Sequence, residues 1–137
     1  MFNFAAMNES DSTELPVLVF ATHNANKARE VQNMLSGAYR IQTLSDIGCH
    51  EEIPETATDL KGNAFLKAQH VHREYGLDCF ADDTGLEVDA LAGAPGVRTA
   101  RYAGENADAQ ANMSKLLGAL ADTDGEDRTA RFRTVIC

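Results

Sequence analysis

Asp82 and Asp83 stand side by side and are followed at once by a hydroxyl, Thr84, and by Gly85. Paired acids at a strand end can hold a divalent cation through their oxygens or position a water molecule. Side chains alternate along a strand, so one of the two faces a given site and the other faces away. The same four residues also fit an Asx-type turn in which the acids bond local amides. Both readings stand on these residues alone. In the first, Glu55 can supply a second oxygen to Mg²⁺, and the metal or Asp83 acting as a base can activate water for attack on phosphorus.

Two further groups have the chemistry to serve such a site. Thr22, Asn24 and Lys27 lie at a strand-to-helix junction. Free amides and the helix dipole favour an anion there, and Lys27 adds a positive charge for phosphate. The dipole disfavours a lysine in that turn, which points to a ligand that compensates it. The glycines and Gly-Lys-Ser/Thr ending of a P-loop are absent. On spacing alone, a capped helix with a surface lysine is the simpler reading. Asn63 and Lys67 are four residues apart, so they share a helix face beside the apolar stripe. They can bring an amide and an ammonium to a phosphate chain, with Glu55 in the preceding loop; taken alone, a solvated face is simpler. Arg98 and Arg101 read as surface charge or structural pairing. His70 and His72 are two apart, share no helix face and are no metal pair. With His23 and His50 they read as exposed or capping.

The elements that must position these residues follow from patterning. Residues 15–22 (LPVLVFAT) read as a buried strand in a mixed or parallel sheet. Asn24 is a natural N-cap for a helix over 25–36, which Gly37 stops. Residues 39–44 read as a second strand and 45–57 as an irregular acidic segment. A helix over 58–75 has Leu60, Ala64, Ala68, Val71 and Tyr75 as its buried stripe, with Thr58 as cap and Asp59 at the positive dipole end. A strand over 77–81 then delivers the two acids, and 87–91 forms a short antiparallel piece. Gly93 to Gly96 make a tight turn. A third helix spans 106–120 with Ala109, Met113, Leu116, Leu117 and Leu120 inward, and 129–136 alternates as a last strand. This order predicts an α/β domain, a mixed sheet flanked by helices. Residues 1–15 read as a flexible tail and 16–137 as the domain.

The chain has 137 residues, a net charge of −9 and a pI near 4.7. That charge argues against a nucleic-acid backbone binder, which needs a basic stripe. It leaves room for a small anionic substrate held by a local cluster of lysines. No apolar run approaches membrane-spanning length, so no membrane partner is expected. The N-terminus lacks the charged start of a signal peptide. Three cysteines without metal-type spacing, with Cys79 read as a buried strand residue, suit a reducing, cytoplasmic setting.

Taken together, three stretches resemble one family. T-x-N-x-x-K runs from Thr22 to Lys27. E-T-x(6)-N-A-x-x-K-A runs from Glu55 to Ala68. A-D-D-[ST]-G-L-x-V-x-x-L-x-G-A-P-G-x-x-[ST]-A-R-Y-[AS]-G runs from Ala81 to Gly104. This resembles the inosine triphosphate pyrophosphatase family, from Val17 onward. The resemblance implies a mixed α/β fold with two lobes around a long sheet, a homodimer in the full-length form, and Mg²⁺-dependent cleavage of ITP, dITP and XTP to monophosphate and pyrophosphate. It implies that Thr22, Asn24 and Lys27 hold the triphosphate with Lys67 assisting, that Glu55 and Asp83 ligate Mg²⁺, that Asp83 is the proton acceptor for the attacking water, and that Asp82 supports the site. Thr84 replaces the commoner Ser and keeps the hydroxyl.

The family's later G-F-G-Y-D-P and S-H-R segments, which read the purine base, have no counterpart in this sequence. The expectation is therefore a C-terminally truncated form with its second lobe largely missing, exposing apolar sheet surface and prone to self-associate. Two functional readings follow: a nucleoside triphosphate pyrophosphatase, or a truncated, catalytically weak or inactive remnant that at most binds triphosphate.

Overall fold

The computed structural model describes residues 14–137. Most of the tail expected over 1–15 lies outside the described residues. Strand β1 (Val17–Phe20) leads into helix α1 (Ala25–Met34), and β2 (Arg40–Gln42) returns parallel to β1. After the irregular segment, helix α2 (Leu60–Tyr75) carries the chain to β3 (Cys79–Phe80), which pairs parallel with the other side of β1. The order β2-β1-β3 makes β1 the centre of the first sheet, in keeping with its near-continuous apolar sequence.

β1 is shorter than its apolar run, because Pro16 offers no N–H to the ladder and the Thr22 amide turns back to the Phe20 carbonyl at 2.7 Å. Val19, Ala21, Leu44, Cys49, Val71 and Ala81 form the buried cluster under this sheet, and Phe20 stacks on Phe80 at a ring separation of 4.6 Å.

The largest departure from the sequence reading concerns the two acids. They do not end the strand that precedes them. They open a seven-residue strand, β4 (Asp82–Val88), in a second sheet with β5 (Pro95–Gly96) and β6 (Ala130–Ile136) in the order β5-β4-β6. Both pairings of β4 are antiparallel, and its register with β6 runs from Asp82↔Ile136 to Val88↔Ala130. The short antiparallel piece expected over 87–91 is instead the end of β4 followed by a 3₁₀ turn at Asp89–Leu91. Gly93 to Gly96 do more than turn, since Pro95 and Gly96 pair with Glu87 and Leu86. The chain changes partner at Ala81, which bonds Cys137 in both directions at 2.9 Å.

Two helix starts also move. Asp59, not Thr58, caps α2, its carboxylate accepting from the Gly62 amide at 2.6 Å. Helix α3 (Ala109–Ala119) starts late because Asp108 supplies its cap, accepting from the Ala111 amide at 2.7 Å. Of the residues expected inward on α3, Leu120 is buried, Leu116 is half-buried, and Ala109, Met113 and Leu117 are exposed.

Candidate active site

The β1 strand is flanked by β2 on one side and β3 on the other, so the connections leaving the carboxyl ends of β1 and β3 diverge. Open α/β sheets bind ligands in the crevice beyond such a switch point. Here the crevice lies between the β1–α1 turn and the β3–β4 junction. On the β1–α1 side a cleft of about 260 Å³ opens, lined by Thr22, His23, Asn24, Glu52, Glu55 and Lys67 among others, with Asp82 and Asp83 outside its lining.

At the β1–α1 turn, the Asn24 side-chain oxygen accepts from the Asn26 and Lys27 amides at 3.0 and 3.1 Å. The Thr22 hydroxyl accepts from the Asn24 amide at 3.0 Å. Two of the amides that would otherwise face an anion are thus spent on the cap. The compensation for Lys27 at this helix end comes from within the chain. Its Nζ lies 2.7 Å from Asp82 Oδ2, and Asp82 is buried. That contact spans 55 residues of sequence and ties α1 to the start of β4.

Lys67 organises the other side. Its Nζ is 3.0 Å from Glu55 Oε1 and donates to the Asp82 carbonyl oxygen. Asn63 is not on a solvated face, as the spacing suggests. It is 1% exposed, and its Oδ1 accepts from the Ala57 amide at 2.9 Å, which holds the segment bearing Glu55 against α2. Gly62 permits that approach, because a Cβ there would lie 2.5 Å from the Ala57 Cβ.

Asp83 faces away from Lys27 and toward this second group, as strand alternation requires. Its Oδ1 accepts from the Thr84 amide at 3.1 Å. Its Oδ2 is buried with no hydrogen-bond partner. Burial pushes the Asp83 carboxyl above its usual range; Lys67 opposes the shift and Glu55 adds to it. A desolvated, unpartnered carboxylate oxygen facing a second carboxylate and an ammonium is a costly arrangement for a purely structural acid. It fits a site that receives a hard cation through oxygen ligands, which the Glu55 and Asp83 carboxylates would supply.

Thr84 does not face this group. Its Oγ1 pairs with the Thr134 hydroxyl at 2.8 Å across the β4–β6 ladder. Sequence reasoning undervalued Arg101, whose Nη2 lies 4.0 Å from Glu55 Oε2. Its place two residues after Thr99, whose Oγ1 binds both the Leu86 amide and the Gly96 carbonyl, fixes it beside β4. His70 is half-buried and lies 3.6 Å from Glu51, so it is neither exposed nor capping. Cys79 is half-buried; the buried cysteine is Cys49.

The sequence profile of the Ham1 family matches residues 18–137. The chain is 58% identical over 120 residues to a dITP/XTP pyrophosphatase of Flavobacterium psychrophilum, covering 88% of this chain and 62% of that protein. It is 44% identical over 119 residues to the dITP/XTP pyrophosphatase of Bacillus subtilis, covering 86% and 60%. Among solved structures, a Ham1 protein from Coxiella burnetii superposes with a TM-score of 0.82 at 36% identity, covering 89% of this chain and 62% of that one. The Staphylococcus aureus Ham1 protein gives a TM-score of 0.79 at 37% identity, covering 88% and 61%. The chain therefore spans roughly three-fifths of the length of these relatives. The profile match along nearly the whole chain, the shared fold and the resemblance carried by the three motifs agree: this chain belongs to the Ham1 family.

Proposed function

We propose that the chain carries the triphosphate- and metal-binding half of a nucleoside triphosphate pyrophosphatase, acting on ITP, dITP and XTP to release the monophosphate and pyrophosphate. The observation that carries this reading is the unpartnered buried Asp83 Oδ2 beside Glu55 and Lys67. Glu55 and Asp83 would hold Mg²⁺, which when bound would neutralise phosphate charge and lower the pKa of a bound water. Asp83 accepts the proton of the water that attacks phosphorus.

Lys67 and Lys27 neutralise the phosphate chain, and Thr22 and Asn24 bond its oxygens from the β1–α1 turn. Asp82 holds Lys27 in place. Asn63 acts through Glu55 by fixing the Ala57 segment. The three unpaired thiols fit a reducing cytoplasm. A homodimer fits the exposed apolar face that carries Met113, Leu117 and Phe132.

The test is pyrophosphate release from ITP, dITP and XTP by this chain with and without Mg²⁺, beside Asp83→Asn. The expected result is Mg²⁺-dependent release that falls by about 10²–10⁴-fold in the variant, the usual contribution of a positioned general base. Absence of both release and Mg²⁺-dependent ITP binding sinks the proposal.

A further inference from the structure

A second cluster of ligand-type side chains lies where the irregular segment meets α2. Among the described residues, Cys49, Glu51 and His70 form the one His, Cys and acid triple whose ligand atoms all lie within 4.8 Å of one another. Cys49 Sγ is 4.0 Å from His70 Nε2, and Glu51 Oε1 is 3.6 Å from the same nitrogen. A tetrahedral zinc ion at ordinary bond lengths needs about 3.6 Å between sulfur and nitrogen and about 3.4 Å between nitrogen and oxygen. The two distances to the His70 nitrogen thus lie within a few tenths of an ångström of that geometry, and the sulfur and the Glu51 carboxylate are within 4.8 Å of each other.

Each donor is fixed for a separate reason. Cys49 is 1% exposed and belongs to the buried cluster with Val19, Leu44 and Val71. Its amide is bonded to the Leu44 carbonyl at 2.9 Å, so its backbone is set by the turn after β2. His70 is presented by the middle of α2, with the Tyr75 ring 6.3 Å from its own. The Glu51 carbonyl accepts from His23 Nε2 at 3.0 Å, which anchors its backbone near the β1–α1 turn. The Glu51 side chain is 69% exposed, so the cluster has an entry path and room for a water as fourth ligand.

We propose that Cys49, Glu51 and His70 bind a transition-metal ion of the zinc class. A thiolate with an imidazole selects a softer ion than the all-oxygen pair at Glu55 and Asp83, which suits Mg²⁺. On binding, the Cys49 thiol loses its proton to solvent and His70 coordinates as the neutral ring. The ion ties the segment that carries Glu55, four residues beyond Glu51, to the helix that carries Asn63 and Lys67. This site stands independently of the pyrophosphatase reading.

The test is titration of the chelator-treated, phosphine-reduced chain with Co²⁺, followed by absorbance. The expected result is a sulfur-to-cobalt charge-transfer band and tetrahedral d–d bands at one equivalent, both lost on adding Zn²⁺. Cys49→Ser abolishes the charge-transfer band, and His70→Ala and Glu51→Gln weaken Co²⁺ binding by at least about tenfold. Circular dichroism melts check that each variant folds; His70→Ala, at a half-exposed position, carries the test should Cys49→Ser unfold. Asp83→Asn keeps the band, which separates this site from the catalytic one. A wild-type chain without the band, a band that survives in Cys49→Ser, or unchanged affinity in His70→Ala overturns the proposal.

Discussion

Asp83 is an acid whose burial costs stability. Its Oδ2 is buried without a partner, and its carboxyl is pushed above the usual carboxylate range chiefly by burial. The folded state therefore favours the protonated acid. That preference costs nothing below the usual carboxylate pKa, where the group is protonated in both states. The cost builds as pH rises through the window between the unfolded and the raised folded value, and it persists above it. Asp83→Asn should accordingly melt higher than wild type at pH 7 in the presence of a chelator. The gap should close as pH falls below about 4, where Asp is protonated even when unfolded. Melting curves across pH check this; a variant less stable than wild type at neutral pH without metal refutes the desolvation argument. Asn63 is the complementary case, buried and satisfied by the Ala57 amide, and it works through position and not charge.

At the scale of elements, β4 is held by close backbone approach and by a charged ladder. A Cβ at Gly85 would meet the Gly96 carbonyl oxygen at 2.5 Å and its carbon at 2.9 Å. Both are backbone atoms of the paired strand β5, so neither can swing aside. Gly85→Ala should cost about 1–3 kcal/mol, the range for forced overpacking, read as a lower urea midpoint at unchanged slope. Gly118→Ala is the control: a Cβ there meets nothing within 4 Å, and the change within α3 should be neutral or gain up to about 1 kcal/mol. Equal effects at the two sites would remove the steric argument. On the outer edge, Arg131 bonds Glu87 at 3.0 Å and Asp89 at 2.9 Å, and Arg133 bonds Glu87 at 3.2 Å, which fixes the β4–β6 register through exposed pairs.

For the whole molecule, the two sheets differ in cover. The first is packed on both sides of β1, with Val19, Phe20 and Ala21 buried. The second leaves Phe132 74% exposed and Ile136 70% exposed, beside an apolar groove of about 350 Å³ lined by Leu86, Pro95, Tyr102, Met113 and Leu116. Contiguous apolar surface of this kind drives association in water. The chain should self-associate with rising concentration, and Phe132→Glu should shift it toward monomer. Light scattering over a concentration series reads the outcome, and a wild-type chain that stays monomeric throughout contradicts it. Among the described residues no helix is long and apolar enough to cross a membrane.

Local chemistry in the sequence determined the element order, the Asn24 cap, the α/β class and the motifs that carry the family resemblance, because caps and periodicity act within one or two turns of chain. It also separated the two acids in principle, since alternation on any strand puts neighbours on opposite faces. The tertiary structure decided which acid went where. Asp82 met Lys27 across 55 residues, and Asp83 met the group built from Glu55, Asn63 and Lys67. It decided that Asn63 is buried, that α3 keeps Met113 and Leu117 in solvent, and that Cys49 and His70 come together across 21 residues. These outcomes depend on the change of sheet at Ala81 and on how α2 lies against β3 and β4. Contacts between distant segments follow from that packing, and residue types and spacing alone do not encode it.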